Sequence, residues 1–224
     1  MKMKKISNVV TCALAVPLFA LSGSGAGAEQ ISVLAFDNAT VQPAGPRPGD
    51  NGKRFFNMEG NQNGNFASFG VADFTFPRRG EDGDESEIES IRDLVVTLVQ
   101  ANAAFTADGA LHFWLTTDTT TDIQPSDDPA ISFIRADDPD GLDQQLVPRF
   151  FLGSGMFVQV DDGQVDTYSF RLSRGARRYL RRQIGRGGAV RIVISPADGT
   201  VAATYAGFSN MEFTGPVLTI SFED

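Results

Sequence analysis

Apolar and polar residues alternate with a period of two over much of this chain, which places successive side chains on opposite faces of extended strands. Tyr168, Phe170 and Leu172 share one face, as do Val190, Ile192 and Ile194, and Leu218, Ile220 and Phe222. Runs of this kind, punctuated by glycine, proline and aspartate, predict strands over 31–36, 53–58, 66–76, 91–100, 110–116, 131–134, 156–160, 167–172, 189–195, 200–205 and 217–222. Short strands at such spacings suit an all-β antiparallel sandwich. In 66–76 the large residues change phase, from Phe69 and Val71 to Phe74 and Phe76. Either a bulge near Gly70 or burial of both faces explains that change.

One segment has helical spacing instead. Ala176, Tyr179, Leu180 and Ile184 form an apolar stripe over about 174–184, Ser173 can cap its start, and Gly185 suits a left-handed stop. Five arginines, Arg174, Arg177, Arg178, Arg181 and Arg182, fill the other faces. The helix is expected to seal one end of the sandwich.

The first 28 residues read as an export signal. A positive start (Lys2, Lys4, Lys5) precedes an apolar stretch from Ile6 to Leu21 and a small-residue cleavage site at Ala26-Gly27-Ala28. The expected product is a secreted, extracellular or periplasmic chain, 29–224, forming one sandwich domain. The sequence has one cysteine, Cys12, and one histidine, His112. After cleavage no thiol remains, which excludes disulfide scaffolding, thiol catalysis and zinc sites built on cysteine. Removing the three lysines leaves 16 basic against 28 acidic side chains, a formal charge of −12. Such a surface disfavours nucleic acid or anionic membrane as partner. No later segment is long and apolar enough to be a transmembrane helix.

The order of the last third carries a likeness. Asp166 to Leu172, the helix, Gly187 to Ile194, Ala202 to Ala206 and Gly215 to Ile220 together resemble the closing half of the secreted DNRLRE-type β-sandwich domains, grouped with family 96 carbohydrate-binding modules. Asp37 to Val41 and Gly70 to Phe76 are similar to that family's opening and early aromatic strands. The resemblance implies a jelly-roll sandwich that binds polysaccharide, acidic polymers such as alginate among its ligands. The family's Thr-Phe-x-Ser-basic-Glu run is replaced here by Thr204 to Ser209, so no family binding residue is carried over.

The residues themselves offer three candidate sites. On the strand 110–116, Leu111, Phe113 and Leu115 share one face and His112, Trp114 and Thr116 the other. Exposed, Trp114 would be a flat platform for a sugar ring with His112 as a hydrogen-bond partner; in a strand buried on both sides, both are ordinary core. Eight arginines lie between Arg171 and Arg191 with no acid among them. Alternation sets Arg171 and Arg191 opposite the apolar faces of their strands, where they could meet a uronate carboxylate. The cluster can equally be a solvated face paired with the protein's own aspartates. Third come the acidic runs Glu81 to Glu85, Asp127-Asp128 and Asp137 to Asp143. In the last, Asp138, Asp140 and Asp143 could bend oxygens toward a structural calcium ion, or could simply be turn chemistry.

No catalytic motif is legible. A lyase could be assembled from His112, Tyr168 or Tyr205 and a nearby arginine, but nothing in the spacing selects it. The expectation is a non-catalytic module binding extracellular polysaccharide or cell-surface glycan. The alternatives are a structural or adhesive surface protein acting by self-association and a polysaccharide-degrading enzyme.

Overall fold

The computed structural model describes residues 29–79, 90–135 and 140–222. The export segment, the acidic run 81–85 and Asp137 and Asp138 lie outside the described residues.

The chain is an all-β antiparallel sandwich. Its strands in order are β1 (Gln30–Leu34), β2 (Asp37–Gln42), β3 (Gly45–Pro46), β4 (Phe55–Glu59), β5 (Phe69–Thr75) and β6 (Ile91–Val99). Then follow β7 (Gly109–Thr116), β8 (Arg149–Phe157), β9 (Val165–Arg171), β10 (Ala189–Pro196), β11 (Ala202–Ala206) and β12 (Val217–Phe222). Two helices are inserted, α1 (Asp50–Arg54) and α2 (Arg174–Arg186). One sheet has the order β1-β12-β6-β9, the other β3-β2-β5-β10-β7-β8, and β4 pairs with β11 as a separate ribbon. The ribbon extends the smaller layer, since Gln100, just past β6, bridges Tyr205.

The main core lies between the layers and is built from the alternating faces. Leu94, Val96 and Leu98 of β6, Leu111, Phe113 and Leu115 of β7, and Val190, Ile192 and Ile194 of β10 all enter it. Two tyrosines bring hydroxyls into this apolar space. Tyr168 and Tyr205 satisfy each other at 2.7 Å, and Tyr205 donates to Asp166 Oδ2 at 2.9 Å. Burial without such partners would be costly, and burial raises both hydroxyls above the usual tyrosine range, Tyr168 to about 12.

The phase change in β5 is burial on both faces, since its pairing with β2 and β10 runs without a register shift. Ala72, Phe74 and Phe76 face the main core, while Phe69 and Val71 join a second core on the outer side of the six-stranded sheet. That second core is closed by the stretches 117–135 and 140–148, which bring Ile123, Ile131, Phe133, Leu142 and Leu146 onto Ala39, Val41 and Val193. Residues 131–134 therefore serve as a lid and form no strand. Helix α2 joins the main core through Ala176, Leu180 and Ile184. Ser173 caps it, accepting from Ala176 N–H at 3.3 Å. It ends at Gly187 and not at Gly185: Gly187 takes φ 63° while the Gly188 N–H reaches back to the Gln183 carbonyl, and Gly185 stays buried in the last turn.

Candidate functional site

The stretches 117–135 and 140–148 pack over the outer side of β2, β5 and β10, and beside them, on β7 and β8, aromatic residues collect. Leu111, Phe113 and Leu115 are fully buried, whereas His112 and Trp114 are half-buried on the outer side. Strand β8 supplies Phe151 directly opposite Trp114, because the β7–β8 pairing slips by one residue between Phe113 and Trp114. The bulge keeps Phe150 pointing inward beside Leu115 and turns Phe151 out. The ring centroids of Trp114 and Phe151 are 4.8 Å apart, and His112 stands edge-on to both, 5.3 Å from Phe151 and 6.1 Å from Trp114. Arg149 lies over the indole at 5.2 Å. The Trp114 Nε1–H donates to Ser195 Oγ at 3.0 Å, which fixes the ring. Phe151, about half exposed, presents the free apolar surface of this group.

The candidate arginines are kept apart. Arg191 is 3% exposed and its guanidinium is consumed within the protein: Nε and Nη2 meet the two Asp73 oxygens at 2.7 and 2.8 Å, and Nη1 donates to the carbonyls of Thr121 and Asp118. It is a buried clamp between β10, β5 and the start of the lid, not a ligand-binding side chain. Arg171 is exposed on the outer side of β9, in the other sheet, opposite Asp93. The two therefore do not converge on one ligand. Along α2, Arg177, Arg181, Arg182 and Arg186 each engage a neighbouring group.

Of the calcium candidates, Asp138 lies outside the described residues. Asp140 is buried and its Oδ1 accepts from the Leu142 N–H at 2.9 Å, the geometry of an aspartate turn. Asp143 is exposed, and its main-chain carbonyl accepts from Arg149 Nη2. Among the described residues no three metal-ligating side chains of the histidine, cysteine, aspartate and glutamate set come together. A lyase triad is not assembled either. His112 projects from the outer side of β7, while Tyr168 stacks on Phe113 from the inner side at 4.6 Å and Tyr205, bonded to it, lies in the same core, so the sheet separates His112 from both.

Three residues of this region were missed. Phe151 and Arg149 fall outside the strands expected from the sequence and Ser195 ends the expected strand 189–195, and only distant pairing brings the three to Trp114. Sequence reasoning also missed the polar group on the outer side of the β4–β11 ribbon, Asn57, Glu59 and Thr204. Alternation with Phe56 and Met58 was its only signal.

No protein-family profile matches the chain, and no curated protein is significantly similar to it. Among the described residues no helix is long and apolar enough to cross a membrane.

Proposed function

We propose that the chain is a secreted, non-catalytic β-sandwich module that binds extracellular polysaccharide through the open half of its six-stranded sheet. The observation that carries this reading is the packed group Trp114, Phe151 and His112, two flat rings flanked by hydrogen-bonding side chains on a rigid surface, which suits the C–H face and hydroxyls of a sugar. The likeness of the last third to DNRLRE-type domains agrees with it. One aromatic contact is worth about 1.5–3 kcal/mol, so useful affinity comes from several contacts along one polymer. A glycan array probed with the chain beginning at Glu29, with and without calcium, tests the reading. Polysaccharide binding that Phe151→Ala weakens about tenfold or more supports it, and silence across the array overturns it.

A second reading, self-association, is favoured by one feature. Strands β8 and β9 are sheet edges, and Met156, Val158, Val160 and Val165, near their adjoining ends, are each about half exposed or more. Unpaired edges with apolar side chains are templates for a second copy. Sedimentation that shows concentration-dependent assembly with no glycan bound would favour it.

A further inference from the structure

The outer side of the β4–β11 ribbon carries a cleft that the aromatic surface of β7 and β8 does not explain. Alternation turns Phe56, Met58, Ala203 and Tyr205 into the core, which leaves Asn57, Glu59 and Thr204 as a polar floor. Phe66, at the end of the 3-10 segment Asn61–Phe66, and Phe105, in the turn after β6, stand as walls together with Arg47. The cleft, open on one side, has a volume of about 380 Å³, at the small end of ligand pockets. Phe66 is 64% and Phe105 76% exposed, so both rings bring apolar surface to solvent at the mouth of a polar cleft.

The floor contains an unmet hydrogen bond. Asn57 is only 7% exposed, and its Nδ2 donates to Thr204 Oγ1 at 2.8 Å and to Glu59 Oε1 at 3.3 Å. Among the described residues nothing donates to its Oδ1. A buried acceptor without a donor is destabilising, and this one, itself covered from solvent, belongs to a residue of the cleft floor.

We propose that this cleft binds a neutral sugar residue, with a ring face against Phe66 or Phe105, hydroxyls donating to the Glu59 carboxyl group, and Arg47 donating to sugar oxygens. The site is separate from the Trp114 surface and rests on the polysaccharide reading only for the source of the sugar. A second, smaller cavity of about 190 Å³, lined by Phe55 and Asp162 among others, shares Asn102 with the cleft and offers room for a further sugar unit. Electrostatics select against the charged alternatives. The one acid and the one base that line the cleft, Glu59 and Arg47, offset each other when both are ionised, which leaves no net charge to favour a uronate or a bare cation. Burial lifts the Glu59 carboxyl to about 7 against the lowering effects of the Asn57 hydrogen bond and the Arg47 charge. Arg47 is the other charged side chain among the residues that line the cleft. Because an ionised carboxylate accepts hydroxyl hydrogen bonds more strongly than a neutral acid, neutral-sugar affinity rises as pH rises through that range, and uronate affinity would fall.

Titration calorimetry of the chain beginning at Glu29 with cellotetraose, laminaritetraose, maltotetraose and tetramannuronate tests the inference. The expected result is binding of at least one neutral tetrasaccharide, tighter at pH 8 than at pH 6. Phe105→Ala or Phe66→Ala should weaken it by about tenfold or more, the loss of one aromatic contact. Glu59→Gln should remove the pH response. Phe151→Ala should lower polysaccharide retention while the pH response of tetrasaccharide binding, which belongs to Glu59, persists, so that the two sites fail independently. Absence of neutral-tetrasaccharide binding, binding of tetramannuronate alone, or affinity indifferent to Phe66, Phe105 and Glu59 overturns the proposal. A folded state confirmed by circular dichroism for each variant keeps a loss from being mistaken for unfolding.

Discussion

Arg191 on β10 and Asp73 on β5 sit directly opposite each other in the sheet and form a two-point ion pair, Nε to Oδ1 at 2.7 Å and Nη2 to Oδ2 at 2.8 Å, with both residues nearly inaccessible to solvent. The third guanidinium nitrogen holds the Thr121 carbonyl at 2.8 Å, which ties the lid stretch 117–135 to the sheet beneath it. Removing one partner leaves a buried charge without its counterpart. Arg191→Met or Asp73→Asn should therefore cost about 3–5 kcal/mol, and an apolar pair such as Arg191→Met with Asp73→Leu should recover most of it. Urea unfolding of the three variants checks this. A single substitution costing under about 1 kcal/mol would mean that the clamp contributes little.

Gly70 shows how closely the ribbon is laid on the sheet. A β-carbon there would stand 2.6 Å from the Phe56 ring and 2.8 Å from the Met58 sulfur, and the six-stranded sheet has no slack at that point. Gly70→Ala should destabilise by about 1–3 kcal/mol through overpacking. Phe56→Leu also destabilises by itself, yet combined with Gly70→Ala it should cost clearly less than the sum, because the smaller side chain makes the room the methyl group needs. Thermal unfolding of the double-mutant cycle reads this coupling, and strict additivity would contradict the proposed contact.

The parts of this fold that were legible are those in which one strand face alone is buried. Leu218, Ile220 and Phe222 alternate because β12 has a single apolar side, and α2 was marked by its cap and its stripe. Strand β2 has no such signal: Asn38 and Thr40 are buried and held by Gly52, Phe55, Asn57 and Phe208, so polar residues occupy core positions. Only the family resemblance marked 37–41 as a strand. Strand β8 was hidden for the opposite reason. Only its last two residues fall in the expected strand 156–160, and Gly153 and Gly155 lie in the strand because the rings of Phe170 and Tyr168 occupy the space their side chains would fill. At the candidate site the exposed rim of Trp114 and His112 was a stated possibility, but Phe151 required knowledge of a pairing and a bulge. Arg191 pointed outward as alternation predicts, and only the position of Asp73 and the lid reveals that outward is still buried.

Trp114 and Phe151 should separate structure from binding. Trp114 packs against the second core and its indole N–H is fixed by Ser195, so Trp114→Ala should lose about 1–3 kcal/mol of stability as well as polysaccharide affinity. Phe151 is about half exposed on an edge strand, so Phe151→Ala should reduce affinity similarly while stability falls by under about 1 kcal/mol. Affinity electrophoresis through polysaccharide-containing gels, beside thermal unfolding, measures the two effects. Equal retention of wild type and Phe151→Ala would remove this ring from the binding surface.

Glu59 makes stability depend on pH in the direction opposite to a salt-bridged acid. Burial raises its carboxyl from the ordinary 4.5 to about 7, so between those values the folded protein holds a proton that the unfolded chain releases. Stability from this group is fully present below about pH 4.5 and is lost as pH rises through about 7. At about 1.4 kcal/mol per pKa unit, the loss is on the order of 2–3 kcal/mol with part of the group open to water. Asp118 and Asp198, held below the usual carboxylate range by hydrogen bonds that outweigh their desolvation, act in reverse, and their contribution disappears in acid. The difference between wild type and Glu59→Gln isolates the buried acid from these. Glutamine keeps the shape and carries no proton to release, so the variant should match wild type near pH 4.5 and exceed it by that margin at pH 8. Urea unfolding at half-unit pH steps gives the comparison. A difference independent of pH would show that the carboxyl titrates alike in the folded and unfolded chain, and would remove the basis for a pH response at the ribbon cleft while leaving its aromatic walls to be tested separately.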